Sequence, residues 1–499
     1  VKPTAALFLF IFWREKHMTV AEMLQAPEVD VVTQSDLALA EMIELDERDL
    51  RELSYTEVHF LGNIVLQGEP EHPVIRVHSG PYDTIKRGGT KFKLYGTIDD
   101  WYQDGVDHGK AMRDKIGGIN ETDYSGGKTV ANIDPNPEGM SKADKHHRIV
   151  DALDQLAGLV VEAGLADPAI DGTAGDEGTN SEIGKSFLRG LGRRGVPNYE
   201  ACVTGKPDMR PRPAATGRGA AVSKRTTMRE RGETEGTVFI QGAGFAGAYY
   251  AAEAFAPYDP ADEDVTLRVG GLGDLDLKKR KVTLTTDDPE GLQITRSMVD
   301  AVLLDPTDRH VLGTKGDKLA ALAWKLEDKG GSVQIRQQDI LTFDPEGRWR
   351  NPSLAPAATS NVIRRDNIGS IVIKEIDEIG NHTVQDGLVD ELEALGFNFN
   401  PGEVRNPGGV KMSIEENRRD LARIAQEKAG QLYLPVSDHE YEGRLHTTMT
   451  HATMQAHRVS REYGVNLRTA VKMVALGNYA IARNMHISDT MRSLLTSTA

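Results

Sequence analysis

Apolar and polar positions alternate with two different periods along this chain, and the period predicts the elements. Residues 57–61 and 74–77 are short, β-favouring pieces within the segment 46–80. Ser141 is a good N-cap, and Ile149, Leu153, Leu156 and Val160 follow at spacings of 4, 3 and 4. That stripe predicts an amphipathic helix whose apolar face does plain core packing. Residues 237–241 read as a buried strand running directly into Gly242-Ala243-Gly244-Phe245-Ala246-Gly247, and residues 248–255 as a helix. A second strand is expected over 265–269. Val384, Leu388, Leu392 and Leu395, followed by Gly396, predict another helix, and residues 466–485 a further one in a mostly helical C-terminal hundred. Residues 193–219 are rich in Gly, Pro and Arg and are expected to cross between domains. No internal repeat is present, and 275–344 carries no clear pattern.

Composition narrows the class. The 499 residues suffice for two or three domains, and 39% apolar with 27% charged is ordinary for a globular chain. With 59 basic against 75 acidic residues, a net −16, general nucleic-acid binding is disfavoured. The run Lys278-Lys279-Arg280-Lys281 is expected to be a solvated loop. One cysteine, Cys202, excludes an internal disulfide framework and a Cys-rich metal site, and suits a reducing compartment. The apolar run 5–13 is too short to span a bilayer, and Met18 offers an alternative start. The expectation is a cytoplasmic protein with no membrane partner. His451 and His457 are six apart, which does not place them on one helix face, so no metal site is read. His146, His147 and His446 are expected at the surface.

Strand, GxGxxG and helix in that order point to a dinucleotide. The first glycine permits a tight turn, the second admits a pyrophosphate, and the third allows the helix against the strand. The helix N-terminus then offers free N–H groups to phosphate. Asp274, 27 residues after Gly247, is the candidate for the ribose hydroxyls. It favours NAD, whereas Lys278, Lys279 and Arg280 would suit the extra phosphate of NADP, so both coenzymes stay open.

Asp123-Tyr124-Ser125-Gly126-Gly127-Lys128-Thr129 ends like a phosphate-binding P-loop. The motif needs a glycine at position 122, which is Thr122, and a buried strand before it, where 120–123 is polar. An NTPase is therefore disfavoured. Lys86, Arg87, Lys91, Lys93 and Lys110 lie upstream near glycines. Clustered cations with partial burial can poise a lysine as a base, although exposed surface lysines are an alternative.

At this point the chain resembles the glutamate dehydrogenases, within the wider amino-acid dehydrogenase family. Gly80-Pro81-Tyr82 with Arg87-Gly88-Gly89-Thr90-Lys91-Phe92 is similar to the family's G-P-Y-K-G-G-x-R-F. Lys110-Ala111-Met112, Gly126-Gly127-Lys128 with Asp134-Pro135, and Thr173-Ala174-Gly175-Asp176-Glu177-Gly178-Thr179-Asn180 follow in family order. So do Val203-Thr204-Gly205-Lys206-Pro207, Ala215-Thr216-Gly217-Arg218-Gly219, the GxGxxG, Pro356-Ala357-Ala358-Thr359-Ser360-Asn361 and Asn406-Pro407-Gly408-Gly409-Val410-Lys411-Met412-Ser413.

The resemblance implies oxidative deamination of L-glutamate to 2-oxoglutarate and ammonium with NAD or NADP. It implies that Lys128, through a lowered pKa, activates water, and that Asp176 shuttles protons to the amine. Lys110 would pair with the α-carboxylate; Arg87 or Lys86, with Val410 and Ser413, would hold the rest of the substrate. Thr216, Gly242, Gly244, Phe245, Ala246, Gly247, Asp274 and Asn361 would hold the coenzyme. It implies an α/β fold of two domains with a cleft between them: a substrate domain with a central sheet (1–205) and a Rossmann-type domain (206–400). C-terminal helices (401–499) would return to the first domain, and the family's assembly is usually a homohexamer.

Several positions depart from the pattern. Asp83-Thr84-Ile85 is inserted before the basic pair, Thr129-Val130 replaces a Gly-Gly, and Lys115 rivals Lys110 across a lengthened spacer. Residues 207–213 lack the family's glycines, Ala214 replaces an acid, and Gly380-Asn381-His382-Thr383 replaces E-G-A-N-x-P. A non-catalytic homologue, or a dehydrogenase of a small apolar amino acid, are the alternatives.

Overall fold

The computed structural model describes residues 32–176, 178–179, 183–205, 211–275, 279–304, 317–345, 347–358, 360–385 and 387–497. The apolar run 5–13, Glu177, Asn180, Lys206, Pro207, Lys278 and Thr359 lie outside them. The chain divides into two compact units: residues up to 209 with 413–436 and 472–498, and residues 210–412 with 437–471.

The first unit is built on a six-stranded sheet. Its strands are β1 (Thr56–Val65), β2 (Glu71–Ser79), β3 (Ile85–Lys93), β4 (Tyr124–Asn132), β5 (Asp171–Gly175) and β6 (Val203–Thr204), in the order β1-β2-β4-β3-β5-β6. The first three neighbours in that order run antiparallel, and β4, β3, β5 and β6 run parallel. Helix α1 (Ile98–Gly118) starts at Thr97, whose Oγ1 accepts the Asp100 N–H. It covers one face, where Val58, Ile75, Val77 and Val130 pack with Trp101 and Val106. Helix α2 (Lys142–Glu162) covers the other and has the predicted Ser141 cap. Ile149, Leu153 and Leu156 of its predicted stripe are buried against Leu61, Ile64, Val74, Phe92 and Ala131. With both faces covered, β4 is buried along nearly its whole length, which apolar and small residues tolerate.

The second unit carries a seven-stranded sheet in the order β10-β9-β8-β7-β11-β12-β13. These strands are β7 (Glu235–Gln241), β8 (Thr266–Leu275), β9 (Lys281–Thr285), β10 (Gln334–Arg336), β11 (Pro352–Pro356), β12 (Glu375–Asp377) and β13 (Asn398–Asn400). From β8 to β13 the neighbours are parallel, whereas β9 and β10 form an antiparallel edge. The patternless stretch 275–344 holds that edge and the short helices Arg296–Leu303 and Lys318–Asp328, with β9 pairing back on β8 as an antiparallel neighbour.

Three expectations are corrected here. The second strand extends well past 269 to Leu275, because a bulge between Val238 and Phe239 absorbs Gly270 and lets pairing continue. The described residues of 384–395 form a bridge and turns, with a 3₁₀ turn at Val389–Glu391, rather than a helix. Val384 instead bridges Ile363, while Leu388 and Leu392 fill the loop-covered side of the sheet, so burial there follows no helical period. The Gly/Pro/Arg-rich crossing ends at Pro211, and Arg212–Glu230 is a long helix, α3. Its Gly217 is there for contact: a Cβ would lie 2.3 Å from the Ala246 carbonyl oxygen of helix α4 (Phe245–Phe255). Close packing outweighs the roughly 1 kcal/mol that glycine costs inside a helix.

The C-terminal part is helical: α5 (Gly408–Lys428), α6 (Asp438–Tyr463) and α7 (Leu467–Ala482), with Asp489–Thr496 last. Residues 413–436 and 472–498 return to the first unit. Asn417 donates to the Ala201 carbonyl (3.0 Å), Asn478 to the Gly117 carbonyl (2.9 Å) and Tyr479 to the Tyr124 carbonyl (2.8 Å). Among the described residues no helix is long and apolar enough to cross a membrane.

Candidate active site

Lys128 lies in the middle of β4, its side chain only 3% exposed, and its ammonium donates to Asp176 Oδ2. A lysine inside a strand has no cradle of loop amides, so the P-loop reading is excluded. Thr129 and Val130 simply continue the strand, which β-branched residues favour. Asp176 leaves the end of β5 and is fixed by its own turn. Its N–H donates to Thr179 Oγ1 (3.0 Å), and that hydroxyl donates to the Thr90 carbonyl (2.8 Å).

Glycine creates the room for this pair. A Cβ on Gly89 would lie 2.4 Å from Asp176 Oδ2, so any larger residue would displace the carboxylate. A Cβ on Gly126 would lie 2.2 Å from the Gly109 carbonyl oxygen, so α1 can approach β4 only over a glycine. Neither glycine is there for a phosphate.

The other expected cations are placed differently. Lys86 is buried and donates to Thr84 Oγ1 (2.8 Å), Ser125 Oγ (2.9 Å) and the Pro81 carbonyl. Burial pushes its amine down to about 8, partly offset by Asp171 and Asp83. Arg87 turns its guanidinium to the Pro168 (3.0 Å) and Ala201 (3.4 Å) carbonyls, and burial lowers its proton affinity. Lys110 is half-buried on α1, pushed down by burial and then by Arg113 against the pull of Asp36, Asp107 and Asp114. Lys115, its rival, is buried on the same helix. Val410 and Ser413 are both half-buried on α5, Val410 in the second unit's share of that helix and Ser413 in the first's.

A buried network beside this site was not anticipated. Arg76 pairs with Asp171 (Nε to Oδ2 2.9 Å) and donates to Thr129 Oγ1 (3.1 Å) and the Gly172 carbonyl (3.1 Å). Burial opposes charge on Asp171, but Arg76 and His78 overcome it and hold the carboxyl well below its usual range. The available signal was a charged residue inside the apolar run 74–77.

In the second unit, Gly242 has φ +105° and donates to the Gly273 carbonyl (2.7 Å), turning the chain at the end of β7. Gly244 caps α4, so the first N–H groups of that helix, from Phe245 and Ala246 onward, open at the carboxyl end of the sheet. A Cβ on Gly247 would lie 1.9 Å from the Gly242 oxygen, so the turn requires glycine there. Asp274 sits within the end of β8, not beyond it. Its carboxylate accepts the Ala243 N–H (3.1 Å) and pairs with Lys318 (3.0 Å), a partner the sequence did not indicate. A cavity of about 220 Å³ opens here, bordered by Gln241, Asp274, Lys281, Ile340, Val362 and Arg364. Asn361 adopts φ +56° at an exposed turn, its N–H donating to the His382 carbonyl (2.8 Å). Thr216 lies on α3 beside Gly409. The glycine turn, the helix N-terminus and the acid beside a cavity fit a dinucleotide.

His446 is not a surface residue as expected. It is half-buried and its Nε2 bonds Asp262 (3.0 Å), because the 3₁₀ turn Pro260–Asp264 folds under α6. His457 is buried against Thr227 and kept neutral, since burial and then Arg405 push it down to about 3.

The family model for the glutamate/leucine/phenylalanine/valine dehydrogenases matches residues 320–486. An NADP-specific glutamate dehydrogenase of Synechocystis is 26% identical over 47% of this chain, and the match spans only 53% of that protein's length. A solved glutamate dehydrogenase superposes with a TM-score of 0.68 at 18% identity, covering 96% of this chain and 99% of that one. The hetero-hexameric glutamate dehydrogenase of Thermus thermophilus gives 0.62 at 17%, covering 90% and 94%. The fold is shared over nearly the whole chain, and residues 320–486 are similar to the glutamate/leucine/phenylalanine/valine dehydrogenase family.

Proposed function

We propose that the protein is an NAD(P)-dependent glutamate dehydrogenase, interconverting L-glutamate and 2-oxoglutarate with release or capture of ammonium. The observation that carries the proposal is the buried Lys128, in the middle of β4, bonded to Asp176 just past the end of β5. The Gly242–Gly247 turn and Asp274 would hold the coenzyme, which when bound would supply a two-electron acceptor. Asp176 would take a proton from the substrate ammonium, so that the nitrogen lone pair can form the imine as the Cα–H bond breaks and its hydrogen leaves as hydride to that acceptor. Lys128 orients water onto the imine carbon and stabilises the oxygen of the resulting carbinolamine; Asp176 returns the proton to the departing amine. Lys110 is assigned the α-carboxylate, and Lys86 with Ser413 and Val410 the rest of the substrate. The protein is proposed to work in the cytoplasm as a homo-oligomer, a hexamer by analogy with the Thermus assembly.

One observation favours a second reading. Arg87 spends its guanidinium on the Pro168 and Ala201 carbonyls, which leaves fewer cations for a side-chain carboxylate and suits a small apolar amino acid. The test is loss of reduced-nicotinamide absorbance with ammonium, using NADH or NADPH, and 2-oxoglutarate or an apolar 2-oxo acid. Oxidation with 2-oxoglutarate that vanishes in Lys128→Ala supports the first reading; oxidation only with the apolar acid supports the second. No oxidation by folded protein with any combination would leave a non-catalytic homologue.

A further inference from the structure

Strands β1 and β2 place three ligand-type side chains together at the edge of the first sheet. Antiparallel pairing sets Glu57 opposite His78 and His59 opposite Arg76. Glu57 Oε2 lies 3.3 Å from His59 Nε2, which in turn lies 3.3 Å from His78 Nδ1. All three ligand atoms fall within 4.8 Å of one another. A tetrahedral ion with bonds of about 2.0 Å has edges of about 3.3 Å between its ligands. The two shorter separations therefore match the edges of such a site.

We infer that Glu57, His59 and His78 form a binding site for one divalent transition-metal ion of the zinc class, with a fourth position open to water. Two imidazoles and a carboxylate are a donor set suited to that class. The surroundings support it. His78 Nε2 donates to Asp171 Oδ2 (3.2 Å), which fixes the tautomer and leaves Nδ1 with its lone pair toward the other two ligands. A carboxylate behind a ligating histidine is a recurring support of zinc sites, and Arg76 holds that carboxylate in turn. Two carboxylates, Glu57 and Asp171, face this corner of the sheet, balanced by the Arg76 guanidinium and the nearby Lys86 amine. His59 and Glu57 are half-buried, which leaves an entry path, whereas His78 is buried. In the strand ladder His78 faces Gly127, the neighbour of Lys128, so an ion here would brace the strand that carries the proposed catalytic lysine.

The test uses the full, tag-free chain stripped with a chelator and then titrated with Zn²⁺ by calorimetry. A parallel titration with Co²⁺ follows the visible absorption of a four-coordinate site. The expected result is one ion per chain with micromolar or tighter affinity, a tetrahedral Co²⁺ spectrum, and a rise in melting temperature with metal. His59→Ala is expected to weaken Zn²⁺ binding by at least about 100-fold, and Glu57→Gln by at least about 10-fold. Both residues are half-buried on an edge strand, so circular dichroism should show both variants folded. Zn²⁺ affinity in His59→Ala and Glu57→Gln equal to the parent, or no Zn²⁺ binding by the parent, would overturn the assignment. Neither result depends on dehydrogenase activity.

Discussion

The two units use glycine at their functional ends for opposite purposes. In the second unit, Gly242 and Gly247 shape a turn whose open side is lined by backbone N–H groups, ready for phosphate. In the first, Gly89 and Gly126 sit inside strands and make room for the protein's own atoms: the Asp176 carboxylate and the backbone of α1. In the proposed function one set would serve the ligand directly, and the other would seat a side chain that serves it. A glycine-lysine pair in sequence is therefore not by itself a phosphate signal; what decides is whether the lysine ends a loop or occupies a strand.

Four substitutions sharpen this contrast. Lys128→Ala should lower turnover by about 10²–10⁴-fold, the usual worth of a positioned acid–base group, and leave coenzyme binding by fluorescence titration unchanged. Gly89→Ala should lower kcat by about 10²-fold, because the new methyl group moves Asp176 from Lys128 by a fraction of its length. The coenzyme KM should stay put in that variant. Asp274→Ala should act on the other side of the comparison. It should raise the coenzyme KM by roughly 10-fold, the worth of one hydrogen bond to a charged acceptor, with a smaller effect on kcat.

The smallest effect concerns Lys86 and the pH dependence of stability. Its folded pKa of about 8 lies below its unfolded value of 10.5, so between these values the unfolded chain binds more protons. Stability from this group therefore rises with pH over that window, and its penalty is fully present below about pH 8. Lys86→Met should flatten that rise in urea-denaturation midpoints between the two values. An unchanged slope would mean that the amine is not desolvated as placed.

Much of this was legible in the chain. The strand, GxGxxG and helix order located the glycine turn between β7 and α4, because that motif is local and each residue's job is set within a few positions. The stripe from Ile149 to Leu156 was legible for the same reason. Lys128 and Asp176 were visible only through resemblance, since 48 residues separate them and sheet order brings β4 and β5 to either side of β3. The helix expected at 384–395 failed because buried leucines in turns can mimic a helical period. Gly217 was mistaken for a loop glycine because its reason, the approach of α4, is tertiary. The Arg76–Asp171–His78 network stayed hidden because its one sequence signal, Arg76 inside the apolar run 74–77, does not say which distant residue is its partner.

The central claim is that the room left by Gly89 seats Asp176 against Lys128 for proton transfer. Its most direct test is steady-state turnover of Gly89→Ala beside Lys128→Ala, with 2-oxoglutarate, ammonium and the preferred coenzyme. The account predicts both variants folded, with turnover lost in Lys128→Ala and cut by about 10²-fold in Gly89→Ala at an unchanged coenzyme KM. Parental turnover in Gly89→Ala would contradict it.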